Sequence, residues 1–213
     1  MFFKTQKYSS ALKLICFLTI ISTLICTIIT TKLTGGMLVI LFFMSLLTLF
    51  YCFPFNTVNK NLRKTPGLKI FIVATVWGLL IVVFPIINFK DKLDVSFLIF
   101  FVQVLIFVVV TIFPFEIRDL NSDCKQLRTI PQIIGVKNTK VLGFCLLLIF
   151  MILDCIQYLI LNFISFKSIL INAAICLTTF TLILKSKENQ SIYFSSFWVE
   201  SLPILWLLLY IIL

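Results

Sequence analysis

Long apolar runs alternate with short polar connections along this chain. Seven runs approach the roughly 20 apolar residues that cross a bilayer as a helix. They cover 11–33, 36–54, 69–88, 95–115, 141–164, 167–185 and 192–213. Within each run the apolar residues are continuous, whereas the strands of a lipid-facing barrel alternate. The pattern predicts an all-α fold: a polytopic transmembrane helix bundle of about seven spans, forming a single integral membrane domain over 1–213. No connection is long enough to separate two soluble domains, and no internal repeat is visible. Pro54, Pro114 and Pro203 sit near run ends, where they predict breaks or changes of helix direction. The first run is too long for the apolar region of a cleaved signal peptide, so none is expected.

The connections fall into two kinds. Those at 34–36, 89–94 and 165–166 are short, whereas those at 53–69 and 114–140 are longer. Alternate polar segments carry Lys4, Lys7 and Lys13; Lys60, Arg63, Lys64 and Lys69; Arg118, Lys125, Arg128, Lys137 and Lys140; and Lys185 and Lys187. These are 14 of the 18 basic residues; the opposite side has Lys32, Lys90, Lys92 and Lys167. The positive-inside rule then puts the amino end in the cytoplasm and the carboxyl end outside.

Composition agrees with that reading. Hydrophobic residues make up 61% of the chain, 24 residues are Phe, and mean hydropathy is +1.16. A soluble domain of this length could not bury so much apolar surface. The expected location is a bacterial inner membrane or a plasma membrane. The net charge of +10 follows from the one-sided basic loops, so anionic lipid headgroups are the expected partners and nucleic acid is not. The seven cysteines have no metal-ligand spacing and read as free thiols in or near apolar spans, with Cys124 on the reduced, cytoplasmic side. Histidine is absent, which excludes Ser-His triads and His-ligated metal or haem.

Against this background the scarce acids gather in one place. Glu116, Asp119 and Asp123 fall within eight residues, beside Arg118, Lys125 and Arg128. If the fourth span continues as a helix, about 100° per residue sets the three acids within roughly 60° of one another and turns Arg118 away. Such a face suits Mg²⁺, a hard cation with oxygen ligands. Mg²⁺ can in turn grip a diphosphate, with Lys125 and Arg128 adding phosphate contacts. The same residues can equally form a solvated turn closed by an internal ion pair.

The segment FPFEIRDLNSDCKQLRTIPQIIG, Phe113 to Gly135, followed by VKNTKVLGF, resembles the second acidic motif of the UbiA superfamily of intramembrane prenyltransferases. That motif reads approximately D-x-x-D-x-x-x-D, a basic residue, then T-x-P-x-x-x-G. Asp119 and Asp123 match its last two acids, and Glu116 stands at the first. Lys125 and Arg128 match the basic positions, and Thr129, Pro131 and Gly135 match the tail. YCFPFNTVNKNLRKTPGLKIFIVATVWG, Tyr51 to Gly78, is similar to the family's tyrosine-plus-basic loop and the helix after it. The resemblance implies that the seven spans correspond to helices three to nine of that fold. Helices one and two, with the first acidic motif, have no counterpart, because no Asp or Glu precedes Asp91.

The resemblance also implies a function. The expected activity is transfer of a polyprenyl group from its diphosphate to a lipid-like or aromatic acceptor. Glu116, Asp119 and Asp123 would hold Mg²⁺, with Asp119 and Asp123 as the catalytic pair. Lys60, Arg63, Lys64, Lys125 and Arg128 would bind the diphosphate. The alternative is a non-catalytic isoprenoid-binding or structural membrane protein of the same fold.

Other polar residues lie inside the apolar runs. Asp154 has Gln157 one turn later, and a buried, hydrogen-bonded packing role facing Gln103 competes with a functional one. Glu200 is expected in the last span, near Ser195 and Ser196. Trp77, Trp198 and Trp206 read as interface or packing residues. A retinal protein would need a lysine in the last span and a phosphatidyl-alcohol transferase a D-G-x-x-A-R core, and this sequence has neither. A transporter would more often show helices broken by Gly or Pro mid-span, whereas here these residues cluster near run ends.

Overall fold

A computed structural model describes residues 6–52, 68–89, 94–123 and 127–213. The fold is all-helical, with seven helices long and apolar enough to cross a membrane. We label them α1 (Gln6–Thr30), α2 (Gly35–Cys52), α3 (Leu68–Gly78, continuing to Phe89), α4 (Val95–Arg118), α5 (Ile130–Leu159), α6 (Phe166–Lys185) and α7 (a π-turn at Phe194–Val199, then Leu202–Ile212). Large apolar side chains such as Phe42 and Ile211 point outward, as they do where lipid is the solvent.

The core sits between α4, α5, α6 and α7. Phe107, Val110, Leu147, Phe150, Ile175, Ile183, Val199 and Leu202 pack there, with the Trp206 ring 4.9 Å from Phe107. A smaller cluster of Val82, Ile86 and Val104 joins α3 to α4. Gly78 permits that approach, since a Cβ there would stand 2.8 Å from the Phe101 ring. By contrast, the membrane-spanning part of α1 has no buried residue.

Two helix ends differ from the hydropathy runs. The fifth run predicts a span over 141–164, but α5 starts at Ile130 and stops at Leu159. Its first turns carry Lys137 and Lys140, which mask the helix in a hydropathy reading. Its end is set by Asn162, whose positive φ of 49° reverses the chain, while Phe163 N–H donates to Gln157 O at 2.9 Å. The fourth helix runs through Pro114 to Arg118 rather than ending at the proline. The Pro114 carbonyl accepts from Gln190 Nε2 at 2.7 Å. In α3, a π-turn at Leu79–Val83 precedes Pro85, and Phe84 N–H donates to Leu79 O. Shifting the register by one residue accommodates a proline ring that would press on an α-helical carbonyl.

A polar network crosses the core. Asp154 of α5, 1% exposed, accepts from Gln103 Nε2 of α4 at 2.8 Å and from Asn172 Nδ2 of α6 at 3.0 and 3.1 Å. Asn172 Oδ1 accepts from Trp206 Nε1 of α7 at 2.9 Å. The indole N–H can only donate, so the Asn172 oxygen faces Trp206 and its amide nitrogen faces Asp154. Gln103 Nε2 also donates to Phe150 O at 3.2 Å, which fixes its orientation too. Asp154 is therefore surrounded by donors, in the packing role facing Gln103 that the sequence allows. Nearby, Gln157 Nε2 donates to Ser96 O at 3.1 Å.

Asp154→Asn keeps the side-chain shape and can keep an oxygen at the Oδ1 position, but it then sets an NH₂ at the Oδ2 position against the Asn172 amide donor. It is expected to cost about 1–3 kcal/mol, the range for an orphaned buried donor, and to lower the thermal midpoint in detergent. An unchanged midpoint would mean that Asp154 does not act as an acceptor.

Candidate functional site

The acids Glu116, Asp119 and Asp123 lie where α4 meets α5. The helix ends at Arg118, and Asp119 takes the non-helical cap position with φ −83° and ψ 2°. A 3₁₀ turn follows over Asp119–Asn121. Ser122 and Asp123 N–H groups donate to Asp119 O at 3.0 and 2.8 Å, and Ser122 Oγ donates to the same carbonyl at 3.0 Å. Short polar side chains in a row compete for the backbone and unwind the helix. The single helical face expected for Glu116, Asp119 and Asp123 therefore does not form.

Each acid instead has its own surroundings. Glu116 turns inward and is 2% exposed. Its carboxylate accepts from the backbone N–H of Ile130 at the start of α5 and feels the charge of Lys69 on α3. The second oxygen, Glu116 Oε2, has no hydrogen-bond partner among the described residues, and neither does Asp123 Oδ2.

Asp119 is paired. Arg118 Nε donates to Asp119 Oδ1 at 2.7 Å and Arg118 Nη2 to Asp119 Oδ2 at 3.1 Å. Arg118 was expected to point away from the acids; it bends back over its neighbour because the turn brings the Asp119 carboxylate alongside. The third nitrogen, Nη1, donates to Ser195 Oγ in the π-turn of α7 at 2.6 Å. The guanidinium also lies 5.5 Å from the centre of the Phe115 ring.

The other wall is the first turn of α5. Thr129 N–H donates to Gln132 Oε1 at 3.1 Å, and Gln132 Nε2 donates to Asp123 O at 3.4 Å. Thr129 and Gln132 form a capping-box arrangement, yet the Thr129 hydroxyl makes no hydrogen bond among the described residues. Arg128 is exposed and held at φ 44°. Gly135 interrupts α5 with φ 81° and ψ 159°, a conformation open essentially to glycine. It sets the Thr129–Ile134 turn apart from the rest of α5.

More contacts bind this end of the bundle together. Asn121 Nδ2 donates to Glu188 at 3.1 Å, and Lys140 Nζ donates to Leu184 O and Ser186 O at 2.8 and 2.7 Å, capping α6. Glu200 is exposed, between the π-turn and the final helix.

Of the site residues expected from the sequence, Glu116, Asp119, Asp123 and Arg128 are described and lie along the α4–α5 junction, without forming one shared cluster. Lys60, Arg63, Lys64 and Lys125 lie outside the described residues. Sequence reasoning did not single out Lys69 or Ser195 as contributors. Lys69 had a signal, as the last cation of a basic loop; Ser195 had none. Among the described residues no group of three or more His, Cys, Asp or Glu side chains is arranged to hold a metal. Glu116 and Asp123, each with one oxygen that has no partner among the described residues, are of the donor type that Mg²⁺ takes, since it keeps several waters and commonly binds one or two carboxylates plus substrate phosphates.

No family model, curated protein or solved structure matches this chain.

Gly135→Ala is expected to destabilise the protein by about 1–3 kcal/mol, although an added Cβ would meet nothing within 4 Å. Thermal unfolding in detergent measures it; no loss would mean that this backbone conformation is not needed.

Proposed function

We propose that this chain is a UbiA-like intramembrane protein that binds a prenyl diphosphate at the α4–α5 junction and transfers the prenyl group to a lipid-like or aromatic acceptor. The observation that carries this reading is the pair of buried carboxylate oxygens, Glu116 Oε2 and Asp123 Oδ2, which have no hydrogen-bond partner among the described residues. A buried carboxylate oxygen facing nothing is costly, and a bound cation removes that cost. Glu116 and Asp123 have the free oxygens to hold Mg²⁺. When bound, Mg²⁺ would neutralise diphosphate oxygens and ease the departure of pyrophosphate.

The chain's own residues supply the rest. Lys69 and Arg128 add positive charge for a ligand that carries about three negative charges, expensive to place at a membrane boundary without matching cations. Lys60, Arg63, Lys64 and Lys125 belong to the same basic connections. The apolar helix surfaces would take the prenyl tail and keep water from the allylic carbon. The one-sided basic charge of the connections supports a cytoplasmic location for this end. A second reading, a non-catalytic isoprenoid-binding or structural protein of the same fold, is favoured by one fact: both oxygens of Asp119 are engaged by Arg118.

Binding of geranylgeranyl diphosphate to the purified chain in detergent is expected to require Mg²⁺. Glu116→Gln and Asp123→Asn should each weaken it by about tenfold or more. Binding without transfer to any acceptor would select isoprenoid binding without catalysis; no binding by a folded bundle would leave only the structural protein of the second reading. For topology, an alkaline phosphatase fused after Leu213 should be active outside the cytoplasm, and a fluorescent protein there dark. The reverse pattern would put the acidic site on the outer face.

A further inference from the structure

Arg118 carries an apparent waste: a cation beside a proposed anion site, with all three guanidinium nitrogens already committed. Two of them grip Asp119, and the third reaches across 77 residues of sequence to Ser195. Ser195 is fully buried and its hydroxyl donates in turn to Ile192 O at 3.2 Å, which orients its lone pairs toward Arg118. It stands in a π-turn, a local widening that often marks a functional position in a helix. Glu116, in the last turn of α4, and Asp123, just past the 3₁₀ turn, each have one carboxylate oxygen without a partner among the described residues.

We propose that Arg118 and Ser195 form a latch that withholds Asp119 from the cation, so that the site works with two carboxylates and its third is held in reserve by the last helix. This rests on reading the α4–α5 junction as a cation site. Arg118 and Ser195 are positioning residues: they act through Asp119 and touch no ligand. Opening the latch adds a carboxylate to the site, and affinity rises with the number of charged ligands. Movement of the start of α7 is thereby coupled to cation affinity.

The test uses the full chain in phosphatidylcholine nanodiscs and Mn²⁺ alone, followed by electron paramagnetic resonance. Glu116→Gln and Asp123→Asn should each weaken Mn²⁺ binding about tenfold or more, and Asp119→Asn should weaken it less than either. Arg118→Gln should tighten binding about tenfold, and adding Asp119→Asn to it should erase the gain. Ser195→Ala should give a smaller gain that Asp119→Asn also erases, and it carries the same test if Arg118→Gln fails to fold. A merely structural Arg118 would show no such dependence on Asp119.

The latch is overturned if Asp119→Asn alone weakens binding as much as Asp123→Asn. It is also overturned if neither latch variant tightens binding, or if the intact chain binds no Mn²⁺. Geranylgeranyl diphosphate is then titrated at saturating Mn²⁺. Its failure to bind would remove the prenyl-diphosphate reading and leave the latch standing.

Discussion

Polar groups inside a bilayer have no water to fall back on, and this bundle is arranged around that constraint. Asp154 would be untenable alone in the apolar core. It is tolerable because Gln103, Asn172 and, through Asn172, Trp206 converge on it from three other helices. Apolar packing between helices gains little when lipid is equally apolar, so such networks and close contacts carry much of the specificity of association. The network fixes which faces of α4, α5, α6 and α7 meet, and the apolar cluster fills the space around it.

The same constraint operates differently where α4 gives way to α5. There the helix unwinds, and its polar groups are sorted into those with protein partners and those without. Arg118, Asp119 and Ser195 satisfy one another. Gln132 and Thr129 N–H pair across the first turn of α5. Glu116 and Asp123 each have one oxygen without a partner among the described residues. The acid in the core has all its partners in neighbouring helices, whereas these two do not. The hydrogen bond from Arg118 to Ser195 ties this end to the last helix.

Much of the fold was legible in the sequence because hydropathy is a local property. The number of spans and most of their ends follow from runs of apolar residues and a bilayer of fixed thickness. Where local reading missed, the cause was a backbone event. Asn162 turned the chain before the fifth apolar run ended, and Lys137 and Lys140 hid the first turns of α5. The acidic stretch was legible as a concentration of acids near cations. Its geometry was not, because the expected shared face assumed a helix that stops at Arg118.

The sequence by itself therefore determined a seven-span helical membrane protein, its lopsided basic charge and the place where its acids gather. These depend on composition over windows of a few turns. Tertiary structure alone decided which acid is paired and which is open. Asp154 finds its donors 18 and 51 residues away, and Arg118 finds Ser195 at 77. Those partners are chosen by how the helices cross and by where a turn rotates one carboxylate toward its neighbour and another into the bundle. No local window contains that information.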